Sequence, residues 1–221
     1  MRQPSQWGLL FDAAVATIRQ TEQAIGGRFI WSFGGGTALM LQIDHRESHD
    51  VDLFIDDPQI MPFLNPLTQN YTLDHAPDAY DTDGVRATKL IYESIGEIDF
   101  ICCGDVTDGP SAVTRVRDVD VQLETPAEIV AKKVFYRGPS LQPRDMFDIA
   151  AVSRARGDDY VVRAMAQCGR AACAAALSAA ERFDAGAALS IISRLMHRDD
   201  TSALVPIARA KTIELLTRAI A

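Results

Sequence analysis

"FGGGTALMLQIDHRESHDVDLFI", residues 33–55, sets three glycines and a threonine ahead of two aspartates with one residue between them. The run "DVDLFI" has the β-branched and aromatic content and the two-residue period of a strand. Successive strand side chains alternate faces, so Asp50 and Asp52 project to one side and Val51 and Leu53 to the other. Carboxylates held side by side repel one another unless a proton or a cation neutralises them. Upstream, "RFIWSF" is a short β-prone run that stops at Gly34-Gly35-Gly36, after which "TALMLQI" returns to helix formers. The order is strand, glycine turn, short helix. A backbone without Cβ atoms lets a phosphate approach the amide N–H groups that open such a helix.

Outward from this stretch, 221 residues at 48% hydrophobic content can bury a core as one large domain or two small ones. No run approaches the roughly 20 apolar residues of a membrane span, and "MRQPSQWGLL" lacks a signal-peptide core, so a cytoplasmic protein without membrane contact is expected. Cys102, Cys103, Cys168 and Cys173 lack C-x-x-C spacing and read as reduced fillers. A net charge of −8 repels polyanions at long range, so any nucleic-acid partner must be gripped by a local basic patch. Arg115 with Arg117, and Arg209 with Lys211, are the local candidates.

The chain opens with an amphipathic helix over "WGLLFDAAVATIRQTEQAI", stopped by Gly26-Gly27. "RATKLIYESI" and "EIDFICC" supply two strands joined in a hairpin at Gly96, and "TRVRDVDVQLE" one further β-like stretch. "DHAPDAYDTDG" reads as an exposed loop. From Thr125 the character changes: "TPAEIVAKKVFYRG" carries Thr125 as N-cap, Pro126 at the first helical position, Glu128 to complete a capping box and Gly138 as terminator. "RDMFDIAAVSRAR" is the next helix, and the alanine-rich remainder from Asp158 reads as three or so more. The expected fold class is therefore α+β, a mixed β-sheet domain with flanking helices over residues 1–124 and a helical domain over 125–221.

Hard divalent ions such as Mg²⁺ choose carboxylate oxygens, which makes a metal the economical reason for Asp50 beside Asp52. Asp99 in "EIDFI" sits on another strand with Ile98 and Phe100 pointing the other way, and completes the cluster if the two strands are neighbours. A metal site beside a phosphate cradle points to a nucleoside triphosphate. His45 and His49 lie close by, but Mg²⁺ prefers oxygen, so both read as loop or supporting residues. Arg46 and Ser48 fit either a phosphate contact or an ordinary polar loop. Lys133 and Arg137, four residues apart, share a helix face suited to triphosphate oxygens or to water.

"FGGGTAL", "DVDLF" and "EIDFI" together resemble the DNA polymerase β-type nucleotidyltransferases. More narrowly, "GGTAL…HRESHDVDLF" with "EIVAKKVFYRG…RDMFDIA" is similar to the AbiEii-like nucleotidyltransferase toxins of bacterial toxin–antitoxin and abortive-infection systems. The resemblance runs from Phe33 to Ala151 and departs from the wider superfamily in having Gly-Gly-Thr where serine is common in the turn. It implies a nucleotidyltransferase fold and a two-metal transfer of a nucleoside monophosphate from an NTP, with pyrophosphate as leaving group. On that resemblance Asp50, Asp52 and Asp99 hold Mg²⁺, Asp99 helps activate the acceptor hydroxyl, and Gly35, Gly36 and Thr37 cradle phosphate. Lys133 and Arg137 match the family's K-x-x-x-R and bind nucleotide, while Asp145 and Asp148 match its R-D-x-x-D. Of these, Asp145 is placed near the chemistry, and Asp148 or Arg144 orients the lysine as part of the nucleotide site. The implied acceptor is RNA, such as the 3′ end of tRNA, and the implied protein partner an antitoxin. A small-molecule acceptor, as in aminoglycoside nucleotidyltransferases, is the enzymatic alternative; a binding or regulatory module on the same fold is the other.

Overall fold

The computed structural model describes residues 4–221. Its helices and strands follow in the order α1 Trp7–Ile25, β1 Trp31–Gly34, α2 Gly35–Ile43, β2 Val51–Ile55, α3 Pro66–Gln69, β3 Ala79–Thr82, β4 Ala87–Tyr92, β5 Gly96–Cys102, β6 Ser111–Val116, β7 Val119–Glu124, α4 Pro126–Arg137, α5 Pro143–Arg156, α6 Asp158–Ala166, α7 Arg170–Arg182, α8 Ala185–Ile192 and α9 Ala208–Ile220. The chain packs as two compact units. One takes the residues up to Ala38, then Ser48–Gly104 and Ala112–Leu123; the other takes Leu39–Glu47, Asp105–Ser111 and Glu124–Ala221.

In the first unit, α1 buries Leu10, Phe11, Ala14, Val15 and Ile18, the three- and four-residue spacing of one helix face. It ends where Gly26 turns left-handed at φ 73°, with the Gly26 N–H donated to the Gln23 carbonyl and the Gly27 N–H to that of Glu22. Among the described residues the strands form one seven-stranded sheet in the order β3-β4-β5-β2-β1-β7-β6. The β1/β2 and β4/β5 pairs are antiparallel, whereas β2/β5 and β1/β7 are parallel. Register fixes two faces. Phe33, Leu53 and Phe100 fall in one row across β1, β2 and β5, are completely buried, and set Phe33 with its ring centroid 5.2 Å from that of Phe11. Burying each such side chain contributes roughly 1.5–3 kcal/mol. The next row, Gly34, Asp52, Asp99 and Lys89, lies on the opposite face.

Two features of this unit differ from expectation. The loop expected over "DHAPDAYDTDG" contains the edge strand β3, whose four residues are all exposed and so leave no alternating apolar trace in the sequence. The single β-like stretch "TRVRDVDVQLE" is two strands, β6 and β7, that meet where Arg117 takes φ 50°; neither Gly nor Asn marks the turn.

The second unit is helical apart from the segments it draws from earlier in the chain. Thr125 caps α4 by accepting the Glu128 N–H at 3.2 Å. The expected capping box is only half present. The Glu128 carboxylate leaves its own helix and accepts from the N–H groups of Val106 at 2.9 Å and Thr107 at 2.8 Å, and from the Thr107 hydroxyl. Gly138 is not a left-handed stop either: it stays at φ −43° and opens a 3₁₀ turn, Gly138–Ser140. A Cβ there would stand 3.3 Å from both the Ala172 carbonyl and the Ala176 Cβ, so close packing against α7 is what glycine serves. From Asp158 onward there are four α-helices and a 3₁₀ turn, Asp199–Leu204. Phe147, Ala150 and Ala151 of α5 pack with Ile192, Leu204 and Ala208, and Ile43 lies against them. No helix among the described residues is long and apolar enough to cross a membrane.

Candidate active site

The outer face of the sheet carries the first cluster. Asp52 on β2 and Asp99 on β5 are direct register partners, and adjacent strands lie about 4.8 Å apart. Both carboxylates therefore occupy the same face at the same level, as a shared metal or proton site requires. Gly34 is the partner of Asp52 on the other side, and Gly35, at φ 68°, turns the chain directly into α2. A Cβ on Gly35 would run into the Asp52 carboxylate. The glycine turn thus folds down onto Asp52, with the first N–H groups of α2, at Gly35, Gly36 and Thr37, immediately following; such leading amides have no carbonyl partner within their own helix.

Asp50 and Thr37 also make local contacts. The buried Thr37 hydroxyl donates to the Asp50 carbonyl, fixing the loop that leads into β2. The Asp50 Oδ1 accepts the Glu97 N–H at 3.1 Å. Among the described residues no three acidic, histidine or cysteine side chains already converge as a metal cluster. Of the three carboxylates expected together, the fold brings two side by side and holds the third against the neighbouring strand.

Burial pushes the Asp99 carboxyl up to about 6, the charge of Asp52 adds to the rise, and the Lys89 ammonium opposes it. Two half-buried carboxylates that resist simultaneous ionisation form a donor set matched to a hard divalent cation, whose charge relieves both. Asp52 and Asp99 therefore fit such an ion, with Asp50 and Glu97 two residues before them in the chain.

The helical unit holds a second cluster. Lys133 of α4 is buried, with Nζ 2.7 Å from Asp145 Oδ1 and 3.0 Å from Asp148 Oδ2. Asp145 also accepts the Gln142 N–H at 3.1 Å and has Arg137 Nη1 at 3.7 Å. Asp148 receives Arg46 in a two-pronged contact, Nε at 2.7 Å and Nη2 at 3.0 Å, and the His45 Nε2 at 2.9 Å. Burial raises both aspartates, but the cations around them outweigh it, leaving Asp145 below and Asp148 well below the usual carboxylate range. Burial likewise opposes the charge on Lys133, and the two aspartates more than restore it. Asp145 and Asp148 are sealed from solvent, so the contribution visible here is to hold Lys133 and Arg46 rather than to meet a ligand. Arg137, its side chain 43% exposed, is the more open member of the K-x-x-x-R pair. Arg144 makes none of these contacts and lies exposed at the start of α5.

Lys89 completes the row and Glu97 lies beside it, although no motif in the sequence marks either. Lys89 Nζ pairs with Glu97 and lies 3.5 Å from Asp99 Oδ1. Pairing the two strands around the hairpin would have found Lys89, because it lies directly opposite Asp99. Arg46 has no such local signal, since its partner is 102 residues away. The basic pairs weighed for RNA are internally engaged: Arg115 with Asp120, Arg117 with Asp12, Lys211 with Asp158, and Arg209 with the Phe183 and Glu181 carbonyls.

With this geometry in view, known proteins give a consistent answer. The family model described as the nucleotidyl transferase AbiEii toxin of a type IV toxin–antitoxin system matches residues 30–207. Among solved structures, the fold is similar to that of a candidate nucleotidyltransferase from H. pylori, at 10% identity and a TM-score of 0.51, covering 98% of this chain and 96% of the other. It is also similar to MenT4, a nucleotidyltransferase toxin from Mycobacterium tuberculosis H37Rv, at 15% identity and a TM-score of 0.53, covering 95% of this chain and 85% of that one. No curated protein matches the sequence. The structural likenesses establish the fold, and the family match, running from just before the glycine turn to the last quarter of the helical unit, establishes membership: the chain belongs to the AbiEii family of nucleotidyltransferases.

Proposed function

We propose that the protein transfers a nucleoside monophosphate from an NTP to an RNA hydroxyl, the 3′ end of tRNA being the foremost candidate, and acts as a cytoplasmic toxin restrained by an antitoxin. The observation that carries the reading is the register pairing of Asp52 with Asp99 beneath Gly35. In this proposal the two carboxylates, with Asp50 beside them, are the ligands of Mg²⁺. When bound, the ion neutralises charge on the triphosphate and on the departing pyrophosphate. The amides of Gly35 and Gly36 receive phosphate oxygens at the positive end of α2. Thr37 contributes by fixing Asp50 through its carbonyl.

The acceptor oxygen forms its bond to the α-phosphorus while the α–β bridging P–O bond breaks and pyrophosphate leaves. The acceptor proton passes to the Asp99 carboxylate, the role the family resemblance gives it. Lys133 and Arg137 retain the role of triphosphate-binding cations. Asp145 and Asp148 act through Lys133, keeping its ammonium charged and pointed. RNA as acceptor and the antitoxin rest on the family.

The test is incubation with total tRNA, Mg²⁺ and each of four α-labelled NTPs in turn. Label on tRNA is the expected result, with one NTP preferred. Label confined to small metabolites would overturn the RNA acceptor, and no transfer by folded protein in any mixture would overturn the catalytic reading.

A further inference from the structure

Lys89 is an unusual residue for its position. On β4, Thr88, Leu90 and Tyr92 point into the core, and Lys89 belongs to the outward set that would ordinarily extend into water. Its ammonium instead lies back along the sheet, paired with Glu97 and 3.5 Å from Asp99 Oδ1. The side chain is only 35% exposed. Across β3 its register partner is Asp81, so the row reads Asp81, Lys89, Asp99, Asp52 from the edge of the sheet inward. One cation stands among carboxylates on both neighbouring strands. Glu97, which it also holds, supplies the N–H that fixes Asp50.

We propose that Lys89 is a tethered counter-ion that controls metal loading of the acidic row. It supplies positive charge to Asp99 and weakens binding of a bare divalent cation, so that the cation is taken up together with a nucleoside triphosphate. The inference rests on the function proposed above. A divalent ion at Asp52 and Asp99 meets a like-charged ammonium within a few ångströms, in a half-buried site where screening by salt is incomplete. A triphosphate arriving with the ion brings the negative charge that offsets this repulsion. The four-carbon stem of lysine lets the ammonium swing from Asp99 to a phosphate oxygen without moving the strand. Lys89 would then serve as a positioning residue before binding and a phosphate contact after it.

The experiment measures free Mn²⁺ by electron paramagnetic resonance over the full chain, first alone and then with a non-hydrolysable α,β-methylene NTP. The variants are Lys89→Gln, Lys89→Met, Lys89→Arg and Asp52→Asn. Without nucleotide, Lys89→Gln and Lys89→Met are expected to bind Mn²⁺ about tenfold more tightly than the wild type, the effect of removing one nearby like charge. Lys89→Arg should match the wild type. With the analogue present the gap should close to within about threefold. Unchanged or weaker Mn²⁺ binding by both neutral variants overturns the proposal, and Lys89→Met, which keeps the carbon stem, covers the case in which Lys89→Gln does not fold. Asp52→Asn separates the two levels. Loss of Mn²⁺ binding in Asp52→Asn with no change in the Lys89 variants removes the Lys89 inference alone. Undiminished binding in Asp52→Asn removes both the metal site and the inference built on it.

Discussion

Gly35 has two independent reasons to be glycine. Its φ of 68° is in the left-handed region that disfavours side chains, and the space a Cβ would fill is already taken by the Asp52 carboxylate. Gly35→Ala should cost about 1–3 kcal/mol of stability from backbone strain. Because the same change displaces Asp52, transfer should fall by roughly 100-fold, more than folding alone explains. Thermal melts beside a labelled-NTP assay check this; a variant that melts early yet transfers at the wild-type rate would show that the approach of the turn to Asp52 is incidental. At this scale the strand faces of the candidate site were legible. The alternation of "DVDLFI" foretold which face Asp52 takes, and "EIDFI" did the same for Asp99. What single residues do with their hydrogen bonds was not legible, because it depends on distant chain. Thr37 donates to the Asp50 carbonyl, and Asp50 accepts from a strand 47 residues away.

Among the elements, the loop after α2 and the helix α5 are joined by one buried carboxylate. Arg46 and His45 reach Asp148 from the loop, Lys133 reaches it from α4, and the loop itself is tied by the Glu47 N–H to the Met196 carbonyl. Burial would raise the Asp148 carboxyl, and Arg46, Lys133 and His45 together hold it well below 3.8. A carboxyl lowered by folding contributes stability that is complete above its unfolded value and is lost as pH falls through the folded one. Arg46→Ala removes the largest of the opposing charges and leaves a buried anion short of partners. It should cost about 3–5 kcal/mol at neutral pH and move the acid-unfolding midpoint to higher pH. Urea denaturation at neutral pH and acid titration followed by circular dichroism measure both. A loss under about 0.5 kcal/mol, the size of an ordinary surface change, would contradict the account. The helix ends show which elements a sequence can announce. Thr125 and Pro126 act on adjacent backbone and were readable, whereas Glu128 leaves its helix for the amides of Val106 and Thr107, which no local pattern encodes. Strand β3 escaped because it has no buried side, and the β6/β7 turn because Arg117 occupies a conformation usually left to Gly or Asn.

For the molecule as a whole, the change of character at Thr125 was legible in the sequence, whereas each of the two compact units is assembled from separate stretches of chain. The recruitment of Leu39–Glu47 and Asp105–Ser111 into the helical unit was not legible, because both read locally as parts of the α/β half. With a net charge of −8, an RNA acceptor would have to be held by local cations, and Arg115, Arg117, Arg209, Lys211 and Arg137 each already have a protein partner with which such an acceptor would compete. Family membership settles the class of chemistry, and the acidic row in the sheet unit is the proposed place for it. The most direct measurement is transfer of α-label from NTP to acceptor by Asp52→Asn, a substitution that keeps the shape and removes the charge. Relative to wild type, and with folding verified, the rate should fall by about 100- to 1000-fold, the loss expected when an electrostatic partner of the transition state is removed. Transfer by Asp52→Asn at the wild-type rate would contradict the claim that this carboxylate pair is where the chemistry occurs.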